Sequence, residues 1–290
     1  MGFLALNSWL LGAIVVFSAA VTQTLTGFGF GLVSVPLLLL IFPSHQAITL
    51  SMMLSLSCLI LSGIKERKMA QWHIIWRAIL IGFPALIGGI VLGSKLNAIY
   101  LKALIGICLI IYVSIQWIYS EKQRMKKAQD SMVNYDAVET IANGDEKCVF
   151  IGYPKGFTVA SFASGLLTGV AGIPGPPIVS VLVNFLNKDR FHATVVNYFI
   201  FQYSLAVASR FLIQPAIFNT DLFLFAFSLL LPTFLGYFVG TPIRKYINEV
   251  NFKRLAFLLL MIVGFTSVWE PVKTFIFSAA FSKLSIYLMM

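Results

Sequence analysis

Long apolar runs broken by short polar clusters set the pattern of this chain. Met1 to Ile64 contains no Asp, Glu, Lys or Arg, and neither does Gly156 to Asn187. A hydrocarbon layer of roughly 30 Å needs about 20 apolar helical residues to cross it. On that measure the pattern predicts spans near 4–25, 46–64, 73–93, 101–119, 191–213, 221–241 and 253–270. Two apolar regions, 4–42 and 156–187, are too long for one straight span and are interrupted by Thr26-Gly27-Phe28-Gly29-Phe30-Gly31 and by Gly169 to Pro177. Glycine is a poor helix former, and proline removes a donor and clashes with the preceding turn. Each region is therefore expected to form two segments around a non-helical middle.

Matching landmarks recur in order in the two halves. Gly27 falls opposite Gly172, Ala47 opposite Ala193, Pro84-x3-Gly88 opposite Pro232-x3-Gly236, and Lys102 opposite Lys253, as the offset drifts from 145 to 151. Between them, Glu121 to Lys155 carries six acidic and six basic residues. The expected organisation is a first membrane repeat over 1–119, a cytoplasmic linker over 120–155, a second repeat over 156–270 and an interfacial tail over 271–290. The fold class is all-α integral membrane, with two inverted repeats of about four full spans plus a short broken or re-entrant segment each.

Orientation follows from Lys and Arg, which are in excess in cytoplasmic loops. With an odd number of crossings per half, 16 of the 21 basic residues share the face of the linker, against 13 if each broken region crosses once. Both termini are then expected outside the cytoplasm, in a multi-pass protein of the cell membrane. No basic region precedes the first apolar stretch, so no cleaved signal peptide is expected.

Composition agrees: 59% of residues are hydrophobic and only 11% charged, which no water-facing globule needs. The net charge of +10 sits in loop clusters rather than on one face, so nucleic acid is not an expected partner. Cys58, Cys108 and Cys148 are too far apart for a metal pair or a disulfide framework. No HExxH, GxSxG, Walker loop or carboxylate pair is present, so neither an enzyme nor a metal or cofactor is expected.

Candidate chemistry centres on the breaks. Non-helical backbone at membrane depth survives only where protein buries it or a wet cavity meets it. A restarting helix aims free N–H groups and its positive end at the gap, which suits an anion. Gly27, Gly29, Gly31, Gly172 and Gly175 are the candidate backbone donors, with Pro174, Pro176 and Pro177 holding the second break open. Gln23, Thr26, Ser51, Thr168, Asn197 and Gln202 are the candidate side-chain contacts. The competing reading is that the glycines serve helix packing and the polar groups bond neighbouring carbonyls. Arg210 is read as a functional candidate or as snorkelling to the outer interface. His45 and His192, at helix mouths, read as proton carriers or as plain interfacial residues. Arg77 reads as a topology marker, and Asp221 and Glu270 as helix-end residues. Inverted repeats with broken helices are typical of secondary transporters; a passive anion channel, or a scaffold docking through 121–155, is the alternative.

The stretch Thr26-Gly-Phe-Gly-Phe-Gly-Leu-Val-Ser-Val-Pro36 and its echo Gly165-Leu-Leu-Thr-Gly-Val-Ala-Gly-Ile-Pro-Gly-Pro-Pro-Ile-Val-Ser-Val resemble the paired signatures of the TauE/SafE sulfite exporter family. The resemblance extends to about Trp269. Phe30, Pro174 and Pro176 stand where that pattern has glycine, and Val181 where it has proline. The resemblance implies a transporter of small anions, notably sulfite and sulfonates, with two related halves, lipid and a small anion as its partners, and room for a homo-oligomer.

Overall fold

The computed structural model describes residues 2–42, 44–96, 153–154, 156–182, 185–186 and 188–246. Among the described residues every regular element is helical. The first half holds α1 (Gly2–Thr26), α2 (Phe30–Leu38), α3 (Ser44–Glu66) and α4 (Trp72–Lys95). The second holds α5 (Phe157–Ala171), α6 (Gly175–Leu182), α7 (Lys188–Ile213) and α8 (Thr220–Tyr246), with a single 3-10 turn at Pro215–Ile217. The spans expected at 101–119 and 253–270, the linker and the C-terminal tail lie outside the described residues.

Among the described residues four stretches are long and apolar enough to cross a membrane: Asn7–Thr26, His45–Glu66, Trp72–Lys95 and Thr220–Ile243. Their outward faces show what surrounds them. On α8, Leu224, Phe227, Leu231, Leu235 and Phe238 recur every three or four residues and are all more than half exposed. Leu222, Ala226, Leu229, Thr233 and Tyr237 alternate with them and are buried. That is a helix apolar on both its buried and its exposed face, so the outer face suits lipid rather than water. Asn219 caps this helix by accepting from the Leu222 N–H at 2.9 Å.

Both expected breaks are present. The first covers residues 27–29, between α1 and α2, and the second residues 172–174, between α5 and α6. Gly27 (φ +80°), Gly29 (φ +125°) and Gly172 (φ +72°) adopt left-handed backbone, which explains why each helix stops where a glycine stands. The segment after each break is short: α2 has nine residues and α6 eight, roughly 12–14 Å. Nearly every residue of α2 is buried.

A helix covers the expected span at 191–213, within α7, yet α7 does not join the four apolar spans. Its reason is chemical. Residues Phe191 to Phe199 are buried on all sides, and the helix carries His192, Thr194, Asn197, Gln202, Ser209 and Arg210 inward. It packs on α3, α4 and α5, while α4 lies along α5 and α1 along α8.

Those last two pairings are close because of glycine. A Cβ on Gly165 would stand 2.0 Å from the Gly82 carbonyl oxygen, and one on Gly169 2.2 Å from that of Leu86. Across α1 and α8, a Cβ on Gly236 would stand 2.4 Å from the Phe17 carbonyl oxygen. Small residues let membrane helices approach to backbone contact. Gly88, the landmark opposite Gly236 in sequence, faces open space, and its neighbour Gly89 makes the contact, 2.4 Å from the Leu166 oxygen.

Candidate functional site

The polar groups buried between the helices are bonded into short cross-links. Gln23 on α1 accepts from the Ser55 hydroxyl of α3 at 2.9 Å. Ser34 on α2 meets Ser51 on α3 at 2.5 Å. In the second half the Gln202 amide of α7 donates to Thr168 of α5 at 3.4 Å, and Ser164 donates to the Pro174 carbonyl at 2.5 Å. Tyr198 contacts the same Ser164 hydroxyl at 3.0 Å, and Tyr203 donates to the Gly172 carbonyl at 3.2 Å. Such bonds satisfy groups that hydrocarbon would leave stranded.

The two breaks approach each other in a staggered way. Gly27 lies against His192, whose Cδ2 would be 2.6 Å from an added Cβ, whereas Gly172 lies against Ile48 and Met52. It is Gly31, the second residue of α2, that meets the second break: its added Cβ would stand 2.8 Å from the Gly172 oxygen and 2.9 Å from the Tyr203 hydroxyl. Gly175 is nearest to Phe28 and Phe199.

Backbone donors are distributed unequally. Gly27 N–H already serves the Gln23 carbonyl at 2.7 Å, and Gly172 N–H the Thr168 carbonyl at 2.9 Å. Both therefore close the preceding helix and are not the free donors expected of them. Thr26 is likewise engaged locally, accepting from Phe28 N–H at 3.1 Å and donating to the Thr22 carbonyl at 2.8 Å. The N–H groups of Gly29, Phe30, Gly31 and Leu32 have no acceptor among the described residues. They form the open first turn of α2. At α6 the corresponding turn is poorer, because Pro176 and Pro177 have no N–H and only Gly175 and Ile178 remain. Asn197, buried on α7, donates to its own helix at Ala193 O, 2.8 Å away.

Three buried side-chain atoms have no partner among the described residues: His192 Nε2, Gln202 Oε1 and Arg210 Nε. Arg210 corrects the snorkelling expectation. It is 1% exposed, and Nη2 donates to the Gly169 carbonyl at 2.6 Å. His192 is also no plain interfacial residue: it is buried, with Nδ1 2.5 Å from Glu66 Oε2. Glu66 went unnoticed in the sequence because it closes α3 beside Lys65, Arg67 and Lys68, inside what reads as a basic loop. Arg77 stacks over the Tyr153 ring at 4.0 Å. Among the described residues no group of His, Cys, Asp or Glu could hold a metal ion.

A bundle of apolar helices with lipid-suited outer faces, two internal breaks and polar groups turned inward defines a multi-pass membrane protein. Residues 12–266 match the family described as Sulfite exporter TauE/SafE. The chain therefore belongs to that family, a family of membrane transporters. No curated protein and no solved structure matches it.

Proposed function

We propose that the chain is a secondary carrier for a small anion, sulfite or a related sulfonate, moved by alternating access past the two breaks. The observation that carries this reading is the first turn of α2. Four consecutive N–H groups, Gly29 to Leu32, lie unpaired at the start of a buried helix. The helix dipole adds positive potential there without a side-chain charge. Gln202, with its free Oε1, lies on α7 next to Tyr203, whose hydroxyl is close to Gly31. An unpaired acceptor on that helix suits a ligand that also carries a proton, as bisulfite does.

Alternating access needs two halves that can rock, and the inverted-repeat reading supplies them. In its support, each half runs long, short, long, long. The bond Gln23–Ser55 and the bond Thr168–Gln202 occupy matching places at offsets of 145 and 147 residues. The pairings α1 with α8 and α4 with α5 exchange under the same relation. The basic residues place the linker, 120–155, in the cytoplasm on this reading.

The test is transport in proteoliposomes. Purified protein is expected to accumulate labelled sulfite saturably and to exchange it against internal sulfite. Methanesulfonate should compete. A linear, non-saturating flux without exchange would mean a channel instead.

A further inference from the structure

Among the described residues Arg210 is the one Lys or Arg that is buried. It is 1% exposed, near the end of α7, and a charged group held away from water must be compensated. Three features describe what it has. Its Nη2 reaches the Gly169 carbonyl at 2.6 Å; its Nη1 reaches Gln214 Oε1 only at 3.5 Å; its Nε reaches nothing. Among the described residues the one ion pair is His192–Glu66, so no carboxylate meets the guanidinium.

Gly169 lies in the last turn of α5, where unpaired carbonyls carry the negative end of the helix dipole. That end is equivalent to about half an elementary charge, so it offsets part of the guanidinium and leaves the remainder. A guanidinium has five N–H groups in a planar fork. Two contacts leave most of the fork without an acceptor. No described neighbour supplies negative charge.

We propose that Arg210 is the cationic element of an anion-binding site outside the breaks, on the side of the second break away from Glu66 and His192. The ligand is a small oxyanion, taken by the unpartnered Nε–H and the N–H groups of the fork still open beside it. Arg is suited to this because its fork matches two oxygens at once. Tyr203, which touches the second break, lies two turns earlier on the same helix. An anion held at Arg210 would thus be queued beside the breaks. The ligand's identity rests on the anion-carrier reading; its charge rests on Arg210 alone.

The experiment uses the full chain in detergent, in a gluconate buffer, with methanesulfonate or sulfate titrated against the thermal midpoint. Wild type should be stabilised saturably. Arg210→Lys, which keeps the charge but not the fork, should weaken that response about threefold in apparent Kd, while Arg210→Gln should weaken it at least about tenfold, since bonds to a charged group are the stronger kind. A folded Arg210→Gln protein with an unaltered apparent Kd overturns the proposal. So does equal loss in both variants, which would make Arg210 only a cap for α5. If the Gln variant does not fold, wild type and Arg210→Lys decide: a saturable response that Lys weakens about threefold supports the site, and an unaltered response in Lys, or none in wild type, overturns it. Failure of the carrier reading looks different, with wild type binding the anions normally and proteoliposomes moving none.

Discussion

Glu66 Oε2 stands 2.5 Å from His192 Nδ1, joining the last residue of α3 to the second turn of α7, while the His192 ring lies against Gly27. One imidazole thus ties together two long helices and the first break. The two helices run antiparallel, so His45 and Arg210 occupy their opposite ends.

Replacing the carboxylate isolates the imidazole. Glu66→Ala leaves a buried ring with neither nitrogen bonded, and an unsatisfied buried polar group costs about 1–3 kcal/mol. Thermal unfolding in detergent should show that loss for Glu66→Ala and a smaller one for Glu66→Gln, which keeps a bonding partner. Equal stability of Glu66→Ala and wild type would show that the contact contributes nothing.

Gly27 offers a second measurement at the same place. Gly27→Ala meets two penalties: a left-handed φ of +80°, costing about 1 kcal/mol for a residue with a Cβ, and a Cβ 2.6 Å from His192 Cδ2. The steric penalty depends on the ring and the conformational one does not. In a double-mutant cycle with His192→Ala, Gly27→Ala should therefore cost less than it does in wild type, with a coupling of about 0.5–3 kcal/mol. Additive costs would mean that the ring simply moves aside.

At Gly31 the expected effect is on transport. A methyl group there would stand 2.8 Å from the Gly172 carbonyl oxygen and 2.9 Å from the Tyr203 hydroxyl, so α2 and the second break must separate to admit it. Gly31→Ala should lower sulfite uptake by about tenfold or more, given how steeply rate follows misplacement of about 1 Å. Tyr203→Phe removes one bond, 3.2 Å long, to the Gly172 carbonyl and should cost only about 1 kcal/mol of stability. Normal uptake by Gly31→Ala would place the ligand elsewhere.

What the sequence showed and what it hid divide along physical lines. Gly27, Gly29 and Gly172 were visible because a left-handed backbone is a local demand that almost only glycine meets, and so the breaks fell where they were expected. The long spans were visible because burial in lipid is a composition rule. The use of each polar atom was not. Whether Gly172 N–H is free depends on the Thr168 carbonyl, and whether Arg210 snorkels depends on the end of α5, forty-one residues away in sequence. Glu66 was hidden by its basic neighbours, since charge clusters in sequence say nothing about which member turns inward.

The two kinds of glycine on α4 and α5 make the sharpest contrast available without any assay of function. Gly165 has no room: a Cβ would lie 2.0 Å from the Gly82 carbonyl oxygen, 2.7 Å from its carbon and 2.8 Å from its Cα, all backbone that a rotamer change cannot move. Gly88 has nothing within 4 Å. Both lie within helices, so both would gain helix propensity from a side chain, by about 1 kcal/mol for alanine. Gly88→Ala should therefore be neutral or mildly stabilising. Gly165→Ala must push α4 and α5 apart and should cost about 1–3 kcal/mol or more, as overpacking does. Thermal unfolding of the two variants in one detergent decides it. If Gly165→Ala unfolds no earlier than Gly88→Ala, α4 and α5 do not pack backbone to backbone along the Gly82–Gly165 contact.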